Sequence, residues 1–314
     1  MNFLTKEKVP FFFAIDYEMQ TWDVFPASGH EAGPYRFSFP ENPDHRKNLS
    51  CAIEPLRFSY TEFHKRFQKI KQKIEEGYSW LANLTFSIPV KLKGDLEDIY
   101  LTASSPYRIL RKNSFVCFSP ESFVKIRNGR IETRPMKGTL SMANDEALEE
   151  KLRELLHNAK EKAEQYTVTD LLRNDLSQVA HKVKVESFRY PTVIAAGEKK
   201  ILQTSTLISG ELKENFRHNL GDLFLKILPA GSVTGAPKRE TVRLLRKIEK
   251  QKRGFYCGVA GFFDGENLDS CVLIRFLEKK GKNFYYHSGV GVTADSVAED
   301  EYQELLDKVY VPFS

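Results

Sequence analysis

The amino-acid sequence predicts an α+β fold, in which strands and helices occur in separate blocks. Short β-rich runs are concentrated in residues 84–133 and again in residues 256–288. Other stretches show helical periodicity, and no regular alternation of strand and helix links the blocks. Blocks without that alternation are typical of α+β proteins rather than of parallel-sheet proteins.

The composition is that of a folded globular protein. The 314 residues suffice for one large domain or two ordinary ones, and 41% of them are hydrophobic. The net charge is +5, but basic residues are interleaved with acidic ones, as in residues 69–76. This pattern is typical of a solvated helix face, so a basic nucleic-acid-binding module is a remote alternative. A modest positive charge also suits small anionic substrates.

The N-terminus and the cysteines indicate a cytoplasmic protein. Residues 1–10 carry charges, and the apolar run at residues 11–15 is too short for a signal peptide or a membrane span. No CxxC pair occurs among the four dispersed cysteines, which are Cys51, Cys117, Cys257 and Cys271. We therefore expect buried thiols, no disulfide framework and no membrane partner.

Helical patterns are found in three stretches before the C-terminus. Gly77 is a C-cap candidate for an amphipathic helix over residues 61–77. Four apolar residues recur there at helical spacing: Phe63, Phe67, Ile70 and Ile74. Residues 145–167 and 238–250 are also predicted to be helical.

Strands are predicted at residues 84–92, 115–118, 123–127 and 130–133. Asn128-Gly129 predicts a hairpin between the last two of these runs. Nearer the C-terminus, three runs are predicted to form an antiparallel meander: residues 256–263, 271–278 and 283–288. Ser296 and Glu299 have the spacing of a capping box, which predicts a last helix that extends to about Tyr310 and packs on the meander.

Two acidic pairs are candidate metal ligands. Glu161 and Glu164 lie three residues apart on one predicted helix, and Glu301 and Glu304 lie three apart on another. Mg²⁺ binds oxygen ligands and uses few carboxylates together with water and substrate, so two facing pairs could form such a site. Glutamates on solvated helix faces are common, so spacing alone leaves that simpler interpretation open.

Two further segments could contact a ligand. Residues 229–238 hold two glycines and a proline directly before a predicted helix, which is the pattern of an anion-binding turn without the spacing of a nucleotide phosphate loop. Lys137 lies between Met136 and Gly138 after a strand, where a held lysine could act as a nucleophile if it were neutral. An ordinary turn and a surface lysine are the alternatives.

The order of these segments resembles the chorismate-utilising enzymes, the family that includes anthranilate synthase component I and aminodeoxychorismate synthase component I. The resemblance extends from about Asn83 to Lys308. Its motifs are SPY at 105–107, SPESF at 119–123, RPMKGT at 134–139, DLLRND at 170–175, AGSVTGAPK at 230–238, YCG at 256–258, IR at 274–275 and ADS at 294–296. So many ordered matches exclude coincidence.

Lys137 is the residue that separates the two amination reactions within this family. The resemblance implies that aminodeoxychorismate synthases have a lysine at this position and anthranilate synthases a small residue. It further implies that Lys137 attacks C2 of chorismate and that Glu121 protonates the departing C4 hydroxyl, after which ammonia enters at C4. The sequence therefore favours aminodeoxychorismate synthase, with anthranilate synthase component I as the alternative.

The resemblance also implies the metal and substrate ligands. Glu164 and Glu304 would bind Mg²⁺ directly, with Glu161 and Glu301 close by or acting through water. The remaining contacts to the chorismate dianion would come from a larger set: Thr234, Gly235, Ala236, Tyr256, Arg275, Gly289, Gly291 and Lys308. A helical salt bridge to Glu304 is the simpler interpretation of Lys308.

Two positions depart from the family pattern. The usual histidine segment is replaced by a stretch that begins at Leu202, which would handicap pyruvate elimination more than amination. Leu81 occupies approximately the position at which isochorismate and salicylate synthases have a water-activating lysine. A leucine cannot act as that base, so those two reactions are disfavoured.

The resemblance implies a fold of two facing antiparallel sheets with helices outside. We expect one domain over residues 1–314, with a shortened N-terminal part of about 80 residues and no feedback by tryptophan. Ammonia is expected from a separate glutamine amidotransferase subunit, because neither a glutamine-hydrolysing domain nor a pyridoxal-phosphate lyase domain fits in this length.

Overall fold

A computed structural model describes residues 1–47, 49–143, 148–157, 159–196 and 199–312. The described side chains are those of the same residues, apart from residues 137–143, 154, 159, 160, 192–196, 199–201 and 203. Helices in this part of the chain are α1 (Asn2–Lys6), α2 (Tyr60–Glu75), α3 (Leu96–Thr102), α4 (Leu148–His157), α5 (Ala159–Val179), α6 (Leu220–Ile227), α7 (Lys238–Glu249) and α8 (Ala298–Asp307). Short 3₁₀ turns occur at Glu214–Phe216 and Gly231–Val233.

The strands in chain order are β1 (Phe11–Ile15), β2 (Trp22–Pro26), β3 (Glu31–Ala32), β4 (Tyr35–Ser38), β5 (Ala52–Pro55), β6 (Leu81–Lys93), β7 (Tyr107–Arg111), β8 (Phe115–Ser119), β9 (Ser122–Arg127), β10 (Arg130–Thr133), β11 (Met136–Ala143), β12 (Ala180–Ala196), β13 (Lys199–Leu212), β14 (Gly235–Ala236), β15 (Val259–Phe263), β16 (Leu268–Val272), β17 (Phe276–Lys280) and β18 (Asn283–Val292). The first sheet has the order β11-β13-β10-β9-β16-β15-β1-β2, with β12 on β13. The second has the order β14-β6-β18-β17-β8-β7-β4-β3, with β5 on β6. Neighbouring strands described in both sheets pair antiparallel, which confirms the predicted α+β class.

The two sheets pack face to face, with helices on their outer faces. The rings of Phe12 in β1 and Phe37 in β4 stack between the sheets, 4.9 Å apart. Phe13, the next residue of β1, points to the other face and contacts Phe224 of α6 at 4.8 Å. On the outer face of the second sheet, Phe63 of α2 packs against Phe86 of β6 at 5.2 Å. This arrangement of two facing sheets is the one that the family resemblance implies.

Several predicted elements are confirmed. The helix predicted over residues 61–77 is α2, where the Glu62 N–H donates to the hydroxyl of the N-cap Ser59. The strand predicted at residues 84–92 is the centre of β6. The hairpin at Asn128-Gly129 joins β9 and β10, with Ile126 opposite Ile131. That the chain forms one domain with a shortened N-terminal part stays a prediction.

The predicted C-terminal meander is wrong. Residues 271–278 do not form one strand, because β16 ends at Val272 in the first sheet and β17 begins at Phe276 in the second. Arg275 lies in the crossing between the sheets, residues 273–275, and its φ of +54° is left-handed, outside the extended region of a regular strand. Of the predicted meander, two separate antiparallel pairs are found, β15 with β16 in the first sheet and β17 with β18 in the second.

Two helix boundaries also differ from the prediction. The capping box at Ser296 is not formed: α8 begins at Ala298, and the Ser296 hydroxyl donates to Glu301 (2.8 Å) instead of accepting from the Glu299 N–H. The helical stretch predicted at residues 145–167 contains two described helices, of which the second continues to Val179. The start of that prediction, residues 145–147, lies outside the described residues. The long strands β12 and β13 were not predicted.

Candidate functional site

Several of the candidate residues lie near the second half of β18. β17 pairs with β18 only as far as Phe276 opposite His287, whereas β6 pairs with it up to Val292. Beyond His287, the edge of β18 away from β6 is therefore not paired with any strand in the described part of the chain. Gly289 and Gly291 lie in this open stretch.

Glycine at position 291 allows a carboxylate from α5 to approach the sheet. A Cβ at Gly291 would lie 3.2 Å from Glu164 Oε2 and 3.4 Å from Leu81 Cδ1. Glu164 itself is only 7% exposed. Leu81 is therefore an apolar wall of this site, where the related isochorismate-forming reactions would need a base. Glu161 lies one helical turn before Glu164 and is partly exposed.

Helix α8 brings the second acidic pair to the same strand. Glu301 is 1% exposed and accepts a hydrogen bond from Ser296, whose hydroxyl also lies 3.4 Å from the Gly291 carbonyl oxygen. Glu304 forms an ion pair with Lys308 (2.6 Å), as the helical spacing suggested. The Lys308 ammonium in turn donates to the Gly289 carbonyl oxygen (2.9 Å). The first acidic pair thus lies on a helix that reaches Gly291, and the second on a helix whose neighbours Lys308 and Ser296 contact Gly289 and Gly291.

The glycine-rich loop, residues 229–238, forms a third side of the site. Gly235 has φ +146°, and a Cβ there would lie 2.0 Å from the Leu81 carbonyl oxygen, so only glycine fits. Gly235 and Ala236 pair with β6. The Thr234 N–H and hydroxyl both donate to the Gly231 carbonyl oxygen (3.1 and 2.9 Å), so these two donors stabilise the loop. Anion binding by Thr234 stays a prediction.

Lys238, at the end of this loop, forms an internal ion pair. Its ammonium donates to both oxygens of Asp175 on α5 (2.9 Å each) and to the Ile227 carbonyl oxygen (2.7 Å). Burial raises the pKa of Asp175 to about 6, and burial also lowers the pKa of Lys238. These contacts connect α5, α6 and α7 beside the site. The Asp175 carboxylate neutralises the charge of Lys238.

A second buried ion pair holds the loop against β6. Arg253 donates to Glu249 through Nε (2.9 Å) and Nη2 (2.7 Å), and their side chains are only 2% and 3% exposed. Its Nη1 donates to the Val233 carbonyl oxygen (2.8 Å) and its Nη2 to that of Asn83 (2.7 Å). The sequence analysis missed this pair. The i, i+4 spacing of Glu249 and Arg253 is a weak signal in the sequence. The hydrogen bonds from Arg253 to two distant carbonyl oxygens are visible only in the fold.

The crossing between the two sheets brings three other candidates together. The Val272 N–H donates to the Glu121 carbonyl oxygen (3.2 Å), which places the buried Glu121 beside the crossing. Tyr256 lies next to it as well, because the adjacent Cys257 N–H donates to the Leu273 carbonyl oxygen (2.8 Å).

Tyr256 and Arg275 differ in their surroundings. Arg275, within the crossing, has its guanidinium 5.1 Å from the ring centroid of Tyr310. Burial raises the pKa of Tyr256 well above its usual value, so its phenol is protonated and can donate a hydrogen bond. The structure thus provides a neutral donor, Tyr256, and a cation, Arg275, at the crossing.

The backbone of Lys137 belongs to β11. It lies opposite Thr204 of β13, and the register shifts between Lys137 and Thr139 as at a β-bulge. The Lys137 side chain lies outside the described residues, so the nucleophile assignment stays a prediction. Leu202, at the position of the missing histidine, is fully buried and packs against Leu155.

The donors around Gly291 have the chemistry that Mg²⁺ requires. Glu164, Glu301 and Glu304 offer only oxygen, and Gly291 leaves space beside Glu164. No cluster of three or more histidine, cysteine, aspartate or glutamate side chains that could hold a metal is found among those described. Mg²⁺ typically binds one or two protein carboxylates together with water and substrate, so this donor set suits it.

A separate cavity of about 400 Å³ lies elsewhere, between Phe39, Arg127 and Asp269. None of the candidate residues lines it. In the described part of the chain, no helix is both long enough and apolar enough to cross a membrane.

Comparisons with known proteins agree with this geometry. A family model described as chorismate binding enzyme matches residues 30–314. The chain is 40% identical, over 99% of its length and 94% of the relative, to an uncharacterised PabA-like protein of Haemophilus influenzae.

Two enzymes of Bacillus subtilis are each 32% identical to the chain. Aminodeoxychorismate synthase component 1 matches over 81% of this chain and 55% of its own length, and anthranilate synthase component 1 over 84% and 52%. The chain thus spans about half of each enzyme. The structure of anthranilate synthase component I from Streptococcus pneumoniae superimposes with a TM-score of 0.69 at 26% identity, over 86% of this chain and 61% of that one.

Proposed function

Because the chain belongs to the family of chorismate-binding enzymes, we propose that it is an aminodeoxychorismate synthase component I. It converts chorismate and ammonia into 4-amino-4-deoxychorismate, the precursor of 4-aminobenzoate and folate. The observation that supports this choice is Lys137 in the segment RPMKGT. The two enzymes of Bacillus subtilis are equally similar to the chain, so overall identity does not separate the proposed reaction from anthranilate synthesis.

The proposed reaction has two displacement steps. The neutral amine of Lys137 attacks C2 of chorismate, the ring double bonds shift, and the C4 hydroxyl leaves as water after protonation by Glu121. Ammonia then attacks C4, the double bonds shift back, and Lys137 leaves C2 as a free amine. One water is released for each ammonia consumed. Glu121 is buried beside the sheet crossing, as suits a general acid in a site that excludes water.

We assign the metal site to the α5 and α8 carboxylates. Glu164 and Glu304 would hold Mg²⁺ directly, with Glu161 and Glu301 close by, because Glu164 and α8 both reach Gly291 and its neighbours on β18. When bound, the ion neutralises the ring carboxylate of chorismate. Glu301, hydrogen-bonded to Ser296, is positioned to hold its neighbours in place.

The second carboxylate of chorismate would lie toward the crossing between the sheets. Arg275 supplies a positive charge there, and Tyr256 supplies a protonated phenol. Gly289 and Gly291 carry no side chains of their own along this stretch of β18, and Glu164 stands over Gly291 at one end. The dianion would therefore lie along β18, with one carboxylate at each end. Gly235, Ala236 and Lys308 line the flank formed by the loop and α8.

Ammonia would come from a glutamine amidotransferase partner. Glutamine hydrolysis uses a reactive thiolate, and all four cysteines of this chain are buried. Burial raises the pKa of each thiol, to about 12 for Cys257. None of them therefore suits the role of the nucleophile in glutamine hydrolysis.

We propose that the reaction takes place in the cytoplasm.

Product analysis tests the proposed function. The protein is incubated with chorismate, Mg²⁺ and ammonium at mildly alkaline pH, and the products are separated by liquid chromatography with mass detection. We expect 4-amino-4-deoxychorismate and no pyruvate, the latter measured with lactate dehydrogenase. Anthranilate with an equal amount of pyruvate would instead support anthranilate synthase, the alternative. Isochorismate as the sole product, with no aminated product, would exclude both aminations.

A further inference from the structure

The inner face of β18 holds a histidine to which the proposed chemistry gives no role. His287 is 6% exposed, and its Nε2 lies 2.8 Å from Glu278 Oε2 on β17. Its Nδ1 lies 3.2 Å from the Ser87 hydroxyl on β6. Both ring nitrogens therefore have a partner, which fixes the orientation of the imidazole.

His287 lies at one end of the glycine stretch that would bind chorismate. Residues two apart on a strand share a face, so His287, Gly289 and Gly291 point to the same side of β18. His287 and Gly291 are about 13 Å apart along the strand, from the usual rise per residue. Glu164 stands over Gly291, and His287 is the first side chain met at the other end.

The imidazole contacts the candidate tyrosine directly. Its ring centroid lies 5.1 Å from that of Tyr256, with an angle of 35° between the planes. On another side it meets the ring of Phe276 edge-on, at 5.6 Å. Any rotation of the imidazole would therefore displace Tyr256 or Phe276. Because Tyr256 is fully buried, its phenol depends on such neighbours for its position.

Charged neighbours fix the imidazole further. The Lys280 ammonium lies 2.9 Å from the same Glu278 oxygen, so the carboxylate is held from two sides. Burial alone would raise the pKa of Glu278, but the hydrogen bonds from His287 and Lys280 outweigh burial and lower that pKa. Burial lowers the pKa of His287, which favours the neutral ring. In that form Nε2–H donates to Glu278, and Nδ1 accepts from the Ser87 hydroxyl.

We propose that His287, held by Glu278, is a positioning residue that orients Tyr256 and thereby sets the affinity for the chorismate carboxylate farther from Glu164. The inference rests on the proposed placement of chorismate along β18. It concerns substrate binding, because His287 acts through Tyr256 and not on the reacting carbons. Loss of the hydrogen bonds at His287 should weaken binding more than turnover.

Three variants separate hydrogen bonding from ring packing. His287→Phe keeps an aromatic ring against Tyr256 and Phe276 but loses both hydrogen bonds. Glu278→Gln leaves the histidine in place and removes only the charge of its anchor. His64→Phe is the matched control, since His64 is a partly exposed histidine on α2, outside the proposed site.

Steady-state consumption of chorismate is measured for each variant with Mg²⁺ and ammonium, and thermal unfolding is followed in parallel. We expect His287→Phe to raise KM for chorismate about tenfold and to lower kcat by less than about threefold. Glu278→Gln should shift KM in the same direction by a smaller factor. His64→Phe should match the wild type.

A wild-type KM in both His287→Phe and Glu278→Gln would overturn the proposal, as would a fall in kcat at constant KM. If His287→Phe does not fold, Glu278→Gln decides alone by the same criteria. Product identity is determined in the same reactions. Anthranilate as product would exclude the proposed function, yet a raised KM for chorismate would still support the role of His287.

Discussion

At the scale of single residues, Lys137 decides between the two aminations. Lys137→Ala should abolish 4-amino-4-deoxychorismate, because no amine remains to displace the C4 hydroxyl. A trace of anthranilate-type product is expected if ammonia attacks C2 in the vacated space. Lys137→Arg should not restore activity, since a guanidinium stays protonated and cannot attack. Chromatography of the products checks both variants, with the exposed Lys182→Ala as control. Amination by Lys137→Ala at nearly the wild-type rate would disprove the covalent role.

The second prediction for single residues concerns the carboxylates that would bind Mg²⁺ near Gly291. Glu164→Gln or Glu304→Gln should lower activity at limiting Mg²⁺ by about 100-fold or more, because each removes a charged oxygen ligand. Treatment with EDTA should abolish the activity of the wild type, and added Mg²⁺ should restore it. Glu62→Gln, on the exposed face of α2, is the control. Full activity after EDTA treatment would contradict the metal assignment.

The sequence named the acidic pairs and the glycines as candidate site residues, but it did not identify the residues that support them. Lys238 was part of a suspected anion-binding turn, yet its charge is directed to Asp175. Arg253 and His287 carry no motif, and each has one partner more than 150 positions away in the chain, Asn83 for Arg253 and Ser87 for His287. Local patterns contain no information on such contacts.

At the scale of elements, the buried pair of Arg253 and Glu249 fixes the glycine-rich loop against β6. Arg253→Met should destabilise the protein by about 3–5 kcal/mol, because it leaves the Glu249 carboxylate buried without its cation. The double variant Arg253→Met/Glu249→Gln should recover part of this loss, since glutamine carries no charge. Both should raise KM for chorismate, because the carbonyls of Val233 and Asn83 lose their common donor. Urea denaturation gives the free energies of unfolding, and equal losses in the two variants would contradict this account.

The elements that the sequence predicted poorly are those shaped by distant partners. Residues 271–278 read as one β-rich run, but Arg275 takes a left-handed conformation there and the run divides between two sheets. The long strands β12 and β13 pair with each other through several register shifts, which weakens their periodic pattern. By contrast, α2 and the β9–β10 hairpin depend on local signals, and both were predicted correctly.

At the scale of the whole molecule, the α+β class followed from the distribution of patterns, whereas the facing sheets followed only from the family resemblance. Pairs such as β9 with β16 and β1 with β15 join strands far apart in the chain. The aromatic contact of Phe12 with Phe37 between the sheets has no local signature either. Sheet order is therefore a property of the folded chain that its local patterns do not determine.

The pH dependence of stability should show the contribution of Asp44, which anchors the edge of the second sheet. It accepts hydrogen bonds from Arg36 (2.7 Å) and Tyr100 (2.8 Å). Burial alone would raise the pKa of Asp44, but these bonds outweigh burial and hold the pKa well below its usual range. A lowered carboxyl pKa stabilises the fold above the unfolded pKa and loses this effect as the pH falls below it.

Asp44→Asn should therefore cost about 2–4 kcal/mol at pH 7 and clearly less at pH 3, where the carboxyl is already largely protonated in the unfolded wild-type chain. Urea denaturation at pH 7, 5 and 3 measures the difference. Asp170→Asn, at an exposed aspartate, is the control and should change little at any pH. A cost that stays constant from pH 7 to pH 3 would contradict the assigned role of Asp44.

The most direct test of the central claim is the intact mass of the enzyme after mixing with chorismate and Mg²⁺ without ammonia. We expect an added mass equal to chorismate less one water, located at Lys137 by peptide mapping and discharged to 4-amino-4-deoxychorismate when ammonium is added. Lys137→Ala should remain unmodified under the same conditions. An unmodified wild-type enzyme that nevertheless forms 4-amino-4-deoxychorismate with ammonium, or an adduct at another residue, would contradict amination through Lys137.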